Sequence, residues 1–261
     1  MTELALPHAR VGEGSPLVVF PGLGGRHGVP ARLARWVQRL EIVELSGSRA
    51  VWSIHRRTGM EAGITVEDLA AEHAAMLRRL FDSPVDLVGV STGGSIALQL
   101  VADHPELVRR LVIVSAAYTL SDQGRAMQRQ VAALLRADRP RRAASLFLGN
   151  TGATVLTRAL LRIAGLLAPR MVVGRRDPDL LVTLDAEDAF DLKSRLGQIE
   201  TPTLITGGGR DRFYTAALFE ATRAAMPNAT LKVYARGGHV GTLGNRSLAQ
   251  HILQFLERRG E

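Results

Sequence analysis

One serine of the sequence stands in a motif that could make it a nucleophile. Ser91 lies in GVSTG, residues 89–93, which fits the pattern G-x-S-x-G and follows an apolar run. A serine held on a strained strand-to-helix turn crowds the positions two residues away, so both must be small, and both are glycine here. A helix that begins after the turn directs backbone N–H groups toward developing negative charge. The motif alone does not exclude an ordinary glycine-rich turn.

A serine hydroxyl needs a base to become a nucleophile, and the sequence offers seven histidines. His239 is the best candidate because it follows a predicted strand, residues 231–234, and a glycine-containing loop, residues 235–238. Such a loop lets the side chain turn toward the end of the sheet. The other histidines fit terminal, helical or loop positions: His8, His27, His55, His73, His104 and His251.

Asp211 is the candidate for the carboxylate that orients the histidine and stabilises its cation. It follows a predicted strand, residues 203–206, and three glycines that would let the chain bend toward the same sheet edge. It precedes His239 by 28 residues, which leaves room for one helix and one strand. Asp122, after a strand that ends at Val114, is the second candidate. A role for Asp211 as a helix cap or as the partner of a neighbouring arginine stays open.

Two backbone N–H groups are expected to stabilise the oxyanion that forms when a serine attacks a carbonyl. One belongs to Thr92, the residue after the nucleophile candidate. The other belongs to Leu23, in the early loop FPGLGG, residues 20–25, whose glycines allow close backbone approach. The same loop is a poor phosphate site because it lacks the glycine pattern and the following lysine of phosphate-binding loops.

These residues need a scaffold that brings several strand ends together. The apolar runs predict strands at 17–20, 50–54, 85–90, 111–114, 203–206 and 231–234. Periodic segments predict helices at 32–40, 65–80, 93–102, 216–226 and 247–258. Strands that alternate with helices predict an α/β fold of three layers around a mostly parallel sheet.

Residues 118–190 break this alternation, with several predicted helices and no clear strand. We therefore expect a core of residues 1–117 and 191–261 with a helical cap insertion of residues 118–190. The cap would cover the carboxyl ends of the strands, where open α/β sheets bind ligands.

Composition narrows the possible functions. The absence of cysteine excludes disulfides, thiolate catalysis and cysteine-ligated zinc. The net charge of +8 comes mostly from scattered arginines, which favours a solvated surface over a nucleic-acid interface. No secretory signal and no run of 18 apolar residues is visible. We expect a cytoplasmic protein with no membrane span and no nucleic-acid partner, and the oligomeric state stays open.

Taken in order along the chain, the motifs FPGLGG, GVSTGG, GGGRD and GGH resemble the α/β-hydrolase superfamily. The segment AEDAFD, residues 186–191, is similar to its capped esterase and lipase-like branch. The resemblance implies an α/β-hydrolase fold with Ser91 as nucleophile, His239 as base and Asp211 as acid. Pro21 stands where many relatives have the histidine of an HG dipeptide, which makes the oxyanion loop less diagnostic.

The expected activity is hydrolysis of small-to-medium carboxylic esters or lactones through an acyl-enzyme, with no cofactor and no metal. A serine at the turn argues against the aspartate chemistry of dehalogenases and epoxide hydrolases. C–C bond hydrolysis, aminopeptidase-type cleavage and a non-catalytic ligand receptor stay open as alternatives. Four residues of the cap are candidates for an apolar substrate pocket, with ordinary packing as the alternative: Phe147, Leu156, Leu160 and Phe190.

Overall fold

A seven-stranded β-sheet runs through the centre of the computed structural model, which describes residues 6–23, 45, 47–174 and 178–257. The strands are β1 His8–Val11, β2 Ser15–Phe20, β3 Arg49–Ile54, β4 Val85–Val90, β5 Val108–Val114, β6 Thr203–Gly208 and β7 Ala229–Tyr234. Their order across the sheet is β1-β3-β2-β4-β5-β6-β7. Only β1 is antiparallel to its neighbour. The mostly parallel sheet is therefore confirmed.

Ten α-helices are assigned within the described residues. They are α1 Val66–Leu80, α2 Thr92–Asp103, α3 Asp122–Arg136, α4 Pro140–Thr151, α5 Val155–Leu167, α6 Pro169–Val173, α7 Pro178–Ala189, α8 Ala216–Ala225, α9 His239–Leu243 and α10 Leu248–Leu256. Thr65 caps α1 and shares a reciprocal capping box with Asp68. The helix predicted at residues 32–40 lies outside the described residues, as does the end of the helix predicted to reach residue 258.

The sheet is covered on both faces because its central strands are apolar at successive positions. In β2, Val18 and Phe20 belong to one core with residues of α1 and α2. Leu17 and Val19 face the opposite way and share a second core with α10. Two cores on the two faces of one sheet confirm the predicted three-layer architecture.

Helices α3 to α7 are inserted between β5 and β6. They pack on one another, α3 against α4 and α7, and α4 against α5 and α6. The two ends of the insertion meet at an isolated bridge between Thr119 and Asp191. The division of the chain into a core and a cap at these boundaries remains a prediction.

Candidate active site

Ser91 occupies a sharp turn between β4 and α2. Its backbone has φ +50° and ψ −122°, in a region that non-glycine residues rarely adopt. The N–H of Ser91 donates to the carbonyl of Val114 at 2.9 Å, which ties the turn to the end of β5. The strain predicted from the G-x-S-x-G pattern is therefore present in the structure.

The glycines around Ser91 are required by close packing. A Cβ atom on Gly93 would lie 2.1 Å from the carbonyl oxygen of Phe20, at the end of β2. One on Gly89 would lie 2.7 Å from the carbonyl oxygen of Gly93, and one on Gly94 would lie 2.5 Å from the Cβ of Ala116. All three distances are shorter than van der Waals contact, so the helix start can lie this close to the sheet only with glycine.

The close packing at Gly93 predicts that a larger residue there destabilises the fold. Gly93→Ala is expected to lower the free energy of unfolding by about 3 kcal/mol or more, because the new methyl group meets backbone atoms that cannot rotate away. Gly241→Ala is the matched control, since a Cβ on this glycine of α9 has no atom within 4 Å. Urea unfolding followed by circular dichroism measures both. Equal stability of the two variants would show that the packing around the turn is not as tight as the structure indicates.

Three predicted side chains form a continuous hydrogen-bonded chain at the carboxyl ends of the strands. The Oγ of Ser91 lies 2.9 Å from Nε2 of His239. Nδ1 of the same ring lies 2.8 Å from Oδ2 of Asp211. A carboxylate at Nδ1 fixes the neutral ring with its proton on that nitrogen, which leaves Nε2 free to accept a proton from the serine. The structure thus brings Ser91, His239 and Asp211 together in the predicted order.

Backbone groups hold the acid and the base in place. The Oδ1 of Asp211 accepts hydrogen bonds from the N–H groups of Phe213 at 2.8 Å and Tyr214 at 3.2 Å. The hydroxyl of Ser115, itself at φ +51°, donates to the carbonyl oxygen of His239 at 3.2 Å. Sequence reasoning gave Ser115 no role, because a serine after an apolar strand carries no pattern of its own.

The charges around His239 raise its pKa. Burial alone would lower the pKa, but the negative charge of Asp211, its hydrogen bond and the charge of Glu187 together raise it above the ordinary value of 6.5. The ring must be neutral to act as a base, so a reaction that depends on it loses rate as the pH falls through this raised pKa.

The three glycines before Asp211 lie where the chain packs closely. Strand β6 continues through Gly208, and neither Gly207 nor Gly208 has a positive φ. A Cβ on Gly208 would lie 2.4 Å from the carbonyl oxygen of Gly237, in the loop before His239. Gly208 therefore lets the loop before His239 pack closely on the end of β6, and the chain reaches Asp211 without a positive φ at Gly207 or Gly208.

The early loop lies beside Ser91, as expected for a source of an oxyanion donor. A Cβ on Gly22 would be 3.2 Å from the Cβ of Ser91. Arg56, buried after β3, fixes the loop by donating to the carbonyl oxygens of Pro21 at 3.2 Å and Gly22 at 3.1 Å. Leu23 lines the same cavity as Ser91, and Thr92 is the first residue of α2, where helix N–H groups have no partner within the helix. Their role as oxyanion donors remains a prediction.

Glu187, on the inserted helix α7, is a buried carboxylate that lies in the segment AEDAFD but received no role from the sequence. It accepts hydrogen bonds from Oγ1 of Thr92 at 3.0 Å, Nε2 of Gln128 at 2.8 Å and the hydroxyl of Tyr214 at 2.8 Å. Burial and the charge of Glu187 raise the pKa of the Tyr214 phenol well above 10. One acid therefore joins the inserted helices to the turn after Ser91 and to the loop that carries Asp211.

Glu187→Gln is expected to move the acid limb of the activity profile to lower pH, because it removes a negative charge that raises the pKa of His239. It should also lower the free energy of unfolding by about 1–3 kcal/mol, since an amide cannot accept all three hydrogen bonds. The pH dependence of kcat/KM measures the first effect. Asp185→Asn, on the exposed face of the same helix, should leave the limb unchanged. An unshifted limb in the Glu187 variant would contradict the electrostatic role.

A cavity of about 330 Å³ opens at the serine. Its lining is mostly apolar and comes from the strand ends, the early loop, α4, α6, α9 and α10, including Leu23, Ser91, Phe147, Leu148, Val172, His239, Val240 and Ile252. Of the four predicted pocket residues, Phe147 lines it. Phe190 is buried in the core instead, and the prediction is wrong for Leu156 and Leu160, which are exposed on α5.

Within the described residues, the second cavity and the other candidate residues are not part of the hydrogen-bonded chain of Ser91, His239 and Asp211. A larger cavity, about 1220 Å³, lies among α3, α4, the end of α5 at Leu167, α6 and α7, and it is not lined by Ser91, His239 or Asp211. Asp122, the second acid candidate, is exposed in the first turn of α3. His73 is buried, and burial lowers its pKa to about 4. His27 lies outside the described residues.

Among the helices that are described, none is long and apolar enough to cross a membrane.

Comparison with known proteins gives matches over most of the chain. A sequence profile for the alpha/beta hydrolase fold matches residues 15–245. The chain is 26% identical over 256 residues to the "Putative carbamate hydrolase RutD" of Variovorax paradoxus strain S110, covering 94% of this chain and 93% of that protein. It is also 26% identical over 181 residues to the pimeloyl-[acyl-carrier protein] methyl ester esterase of Neisseria meningitidis, covering 63% of this chain and 54% of that protein.

Among solved structures, the chain is similar to MGS-M2, an alpha/beta hydrolase enzyme from a Medee basin deep-sea metagenome library. The TM-score is 0.84 at 16% identity, and the match covers 98% of this chain and 95% of that one. At this level of identity the likeness concerns the fold.

Proposed function

The chain belongs to the alpha/beta hydrolase fold family, and on that premise we propose that it is a serine hydrolase of small-to-medium carboxylic esters. The observation that carries the proposal is the chain of hydrogen bonds from Ser91 through His239 to Asp211. It begins at an apolar cavity of about 330 Å³. This volume lies at the small end of ligand pockets and suits a short acyl chain.

In the proposed reaction, the Oγ of Ser91 attacks the carbonyl carbon of the ester while Nε2 of His239 takes the hydroxyl proton. The N–H groups of Leu23 and Thr92 stabilise the negative charge on the carbonyl oxygen. The tetrahedral intermediate then releases the alcohol, which takes the proton back from the ring. An acyl group remains on the serine.

Water completes the cycle. His239 removes a proton from a water molecule, and the hydroxide attacks the acyl carbon. The second tetrahedral intermediate expels the serine oxygen, which recovers its proton from the ring, and the carboxylic acid leaves. Asp211 stays ionised throughout and stabilises the ring cation in both halves of the reaction. All steps use groups of this chain and water.

Carbamate hydrolysis is the second candidate, and the similarity to RutD over nearly the whole chain favours it. The same nucleophile, base and oxyanion donors would act on a carbamate carbonyl. The two candidates differ in the leaving group and in the polarity that the cavity must accept. The apolar lining around Phe147, Leu148 and Val172 favours an ester with an alkyl acyl group.

A panel of chromogenic substrates tests the proposal. We expect the protein to hydrolyse p-nitrophenyl acetate, butyrate and hexanoate, with kcat/KM falling sharply beyond the chain length that a cavity of about 330 Å³ can hold. A p-nitrophenyl carbamate in the same assay tests the second candidate. Faster turnover of the carbamate would reverse the preference between the two. Inertness toward every ester would refute the esterase proposal.

A further inference from the structure

Helix α5 is almost entirely exposed, although most of its residues are apolar. In Val155–Leu167 only Gly165 is buried, where it packs against the backbone of Ala144 in α4. Six large apolar side chains of the helix are exposed: Val155 76%, Leu156 69%, Leu160 58%, Ile163 53%, Leu166 43% and Leu167 79%. In the described part of the chain, only Val233 and Val240 are other large apolar residues of this kind. An exposed apolar helix face of this size indicates an interaction surface.

The exposed side chains form one continuous stripe. With 100° of rotation per residue, Leu156, Leu160, Ile163 and Leu167 fall within an arc of about 60°. Leu166 and Val155 extend the stripe on one side, toward Arg162. We call this set of six apolar residues the α5 stripe.

The surroundings of the α5 stripe are strongly basic. The segment of residues 139–170 contains no Asp or Glu and six arginines: Arg139, Arg141, Arg142, Arg158, Arg162 and Arg170. Arg141 and Arg170 line one cavity with Leu167 at the end of the stripe, and Arg162 is exposed at the edge of the stripe beside Val155 and Leu166. Arg158 lies against Gly152 at the end of α4, on the other side of the helix. Positive charge therefore borders the stripe at Arg162 and at its Leu167 end, where Asp138 is the one acid among the described residues that line the cavity.

We propose that the α5 stripe and the arginines beside it bind the surface of an anionic lipid bilayer. An apolar face bordered by arginines matches what a helix lying in a bilayer interface requires, because the leucines enter the acyl boundary while the guanidinium groups contact lipid phosphates. A second copy of the chain is a poorer occupant. A symmetric contact would bring two acid-free arginine segments together, and like charges would oppose it.

The helix that carries the α5 stripe packs against a wall of the cavity at Ser91. Helix α5 packs against α4, and α4 contributes Phe147 and Leu148 to the cavity that holds Ser91. A bilayer bound at α5 would therefore lie one helix away from the cavity. The proposal does not rest on the esterase activity, because it concerns the outer face of the insertion alone.

Binding to vesicles tests the proposal without any catalytic readout. Vesicles of phosphatidylcholine and phosphatidylglycerol in equal parts are compared with pure phosphatidylcholine in a co-sedimentation assay. We expect binding to the anionic vesicles to be at least about tenfold stronger. The double substitution Leu156→Ser and Leu160→Ser should weaken it at least about tenfold, and Arg162→Gln about fivefold. These side chains lie on an exposed face, so the variants should fold.

Two controls carry the same chemical changes elsewhere on the surface. Val233→Ser removes an exposed apolar residue of β7, and Arg79→Gln removes an exposed charge of α1. Both should bind the anionic vesicles as the wild type does. Failure of the wild type to bind them, or equal binding by the double variant, would overturn the proposal. A wild-type dimer in light scattering that the double variant dissociates would also overturn it, because a second copy would then cover the stripe.

Discussion

Replacing Ser91 by alanine is expected to lower kcat by about four to six orders of magnitude, while KM changes only a few-fold. The substitution removes the atom that forms the bond to the acyl carbon, and the remaining groups can only assist water. Binding of the substrate in the apolar cavity does not depend on the hydroxyl. The free energy of unfolding should change by about 1 kcal/mol or less, because one hydrogen bond to His239 is lost and the turn keeps its packing.

The ester panel described above measures the Ser91 variant. Ser83→Ala, in the exposed turn before β4, is the control for a serine-to-alanine change that touches neither the cavity nor the turn. It should keep wild-type kcat. A kcat for Ser91→Ala within tenfold of wild type would mean that another group supplies the nucleophile.

Asp211→Asn is expected to lower kcat by about four orders of magnitude. The carboxamide oxygen can keep the two hydrogen bonds from the backbone of Phe213 and Tyr214. Its amide nitrogen would then face Nδ1 of His239 and donate to it. The ring proton would move to Nε2, and this nitrogen could no longer accept the proton of Ser91.

Asp122→Asn is the matched control for this prediction. Asp122 follows β5, the strand that ends at Val114, and was the second candidate for the acid, but it is exposed on α3. Its substitution should leave kcat within about twofold, as expected for a surface residue outside the site. A large loss of kcat in the Asp122 variant, or a small loss in the Asp211 variant, would show that Asp211 is not the acid. Rates measured over a range of pH separate a tautomer effect from a simple change in the pKa of His239.

The strands and the site triplet could be predicted because each carries a local signal. The apolar runs of β2 to β7 give the strands, and the G-x-S-x-G pattern requires small neighbours at Ser91. The order of the strands along the chain then indicates which loops carry the acid and the base. Strand β1 was missed because HARV has no apolar run and is half-exposed where it pairs with β3.

The residues that support the site could not be predicted, because their partners are distant in the chain. Glu187 is 95 residues from Thr92 and reaches it only through the packing of α7. Arg56 meets Pro21 and Gly22 across 35 and 34 residues, with no motif to mark the contact. A sequence pattern reports which face of an element is apolar, but not which polar group another element brings to it.

For two residues of the α5 stripe, the sequence pattern led to a wrong prediction. Leu156 and Leu160 are apolar and periodic, so the sequence favoured an interior position for them. Gly165 lies against the backbone of Ala144, and Arg158 and Arg162 contact glycines at the end of α4, so the helix packs through that side and its leucines face outward. Periodicity identified the apolar face correctly but could not say what covers it.

The most direct test of the central claim is covalent labelling of Ser91. A fluorophosphonate reacts with a serine only when a base activates the hydroxyl, and loss of fluoride leaves the phosphorus bound to oxygen. We predict one phosphonyl group per chain by intact mass, located on the peptide that contains Ser91, and no labelling of the Ser91→Ala variant. An unlabelled wild type, or a label on any other residue, would contradict the assignment of Ser91 as the nucleophile.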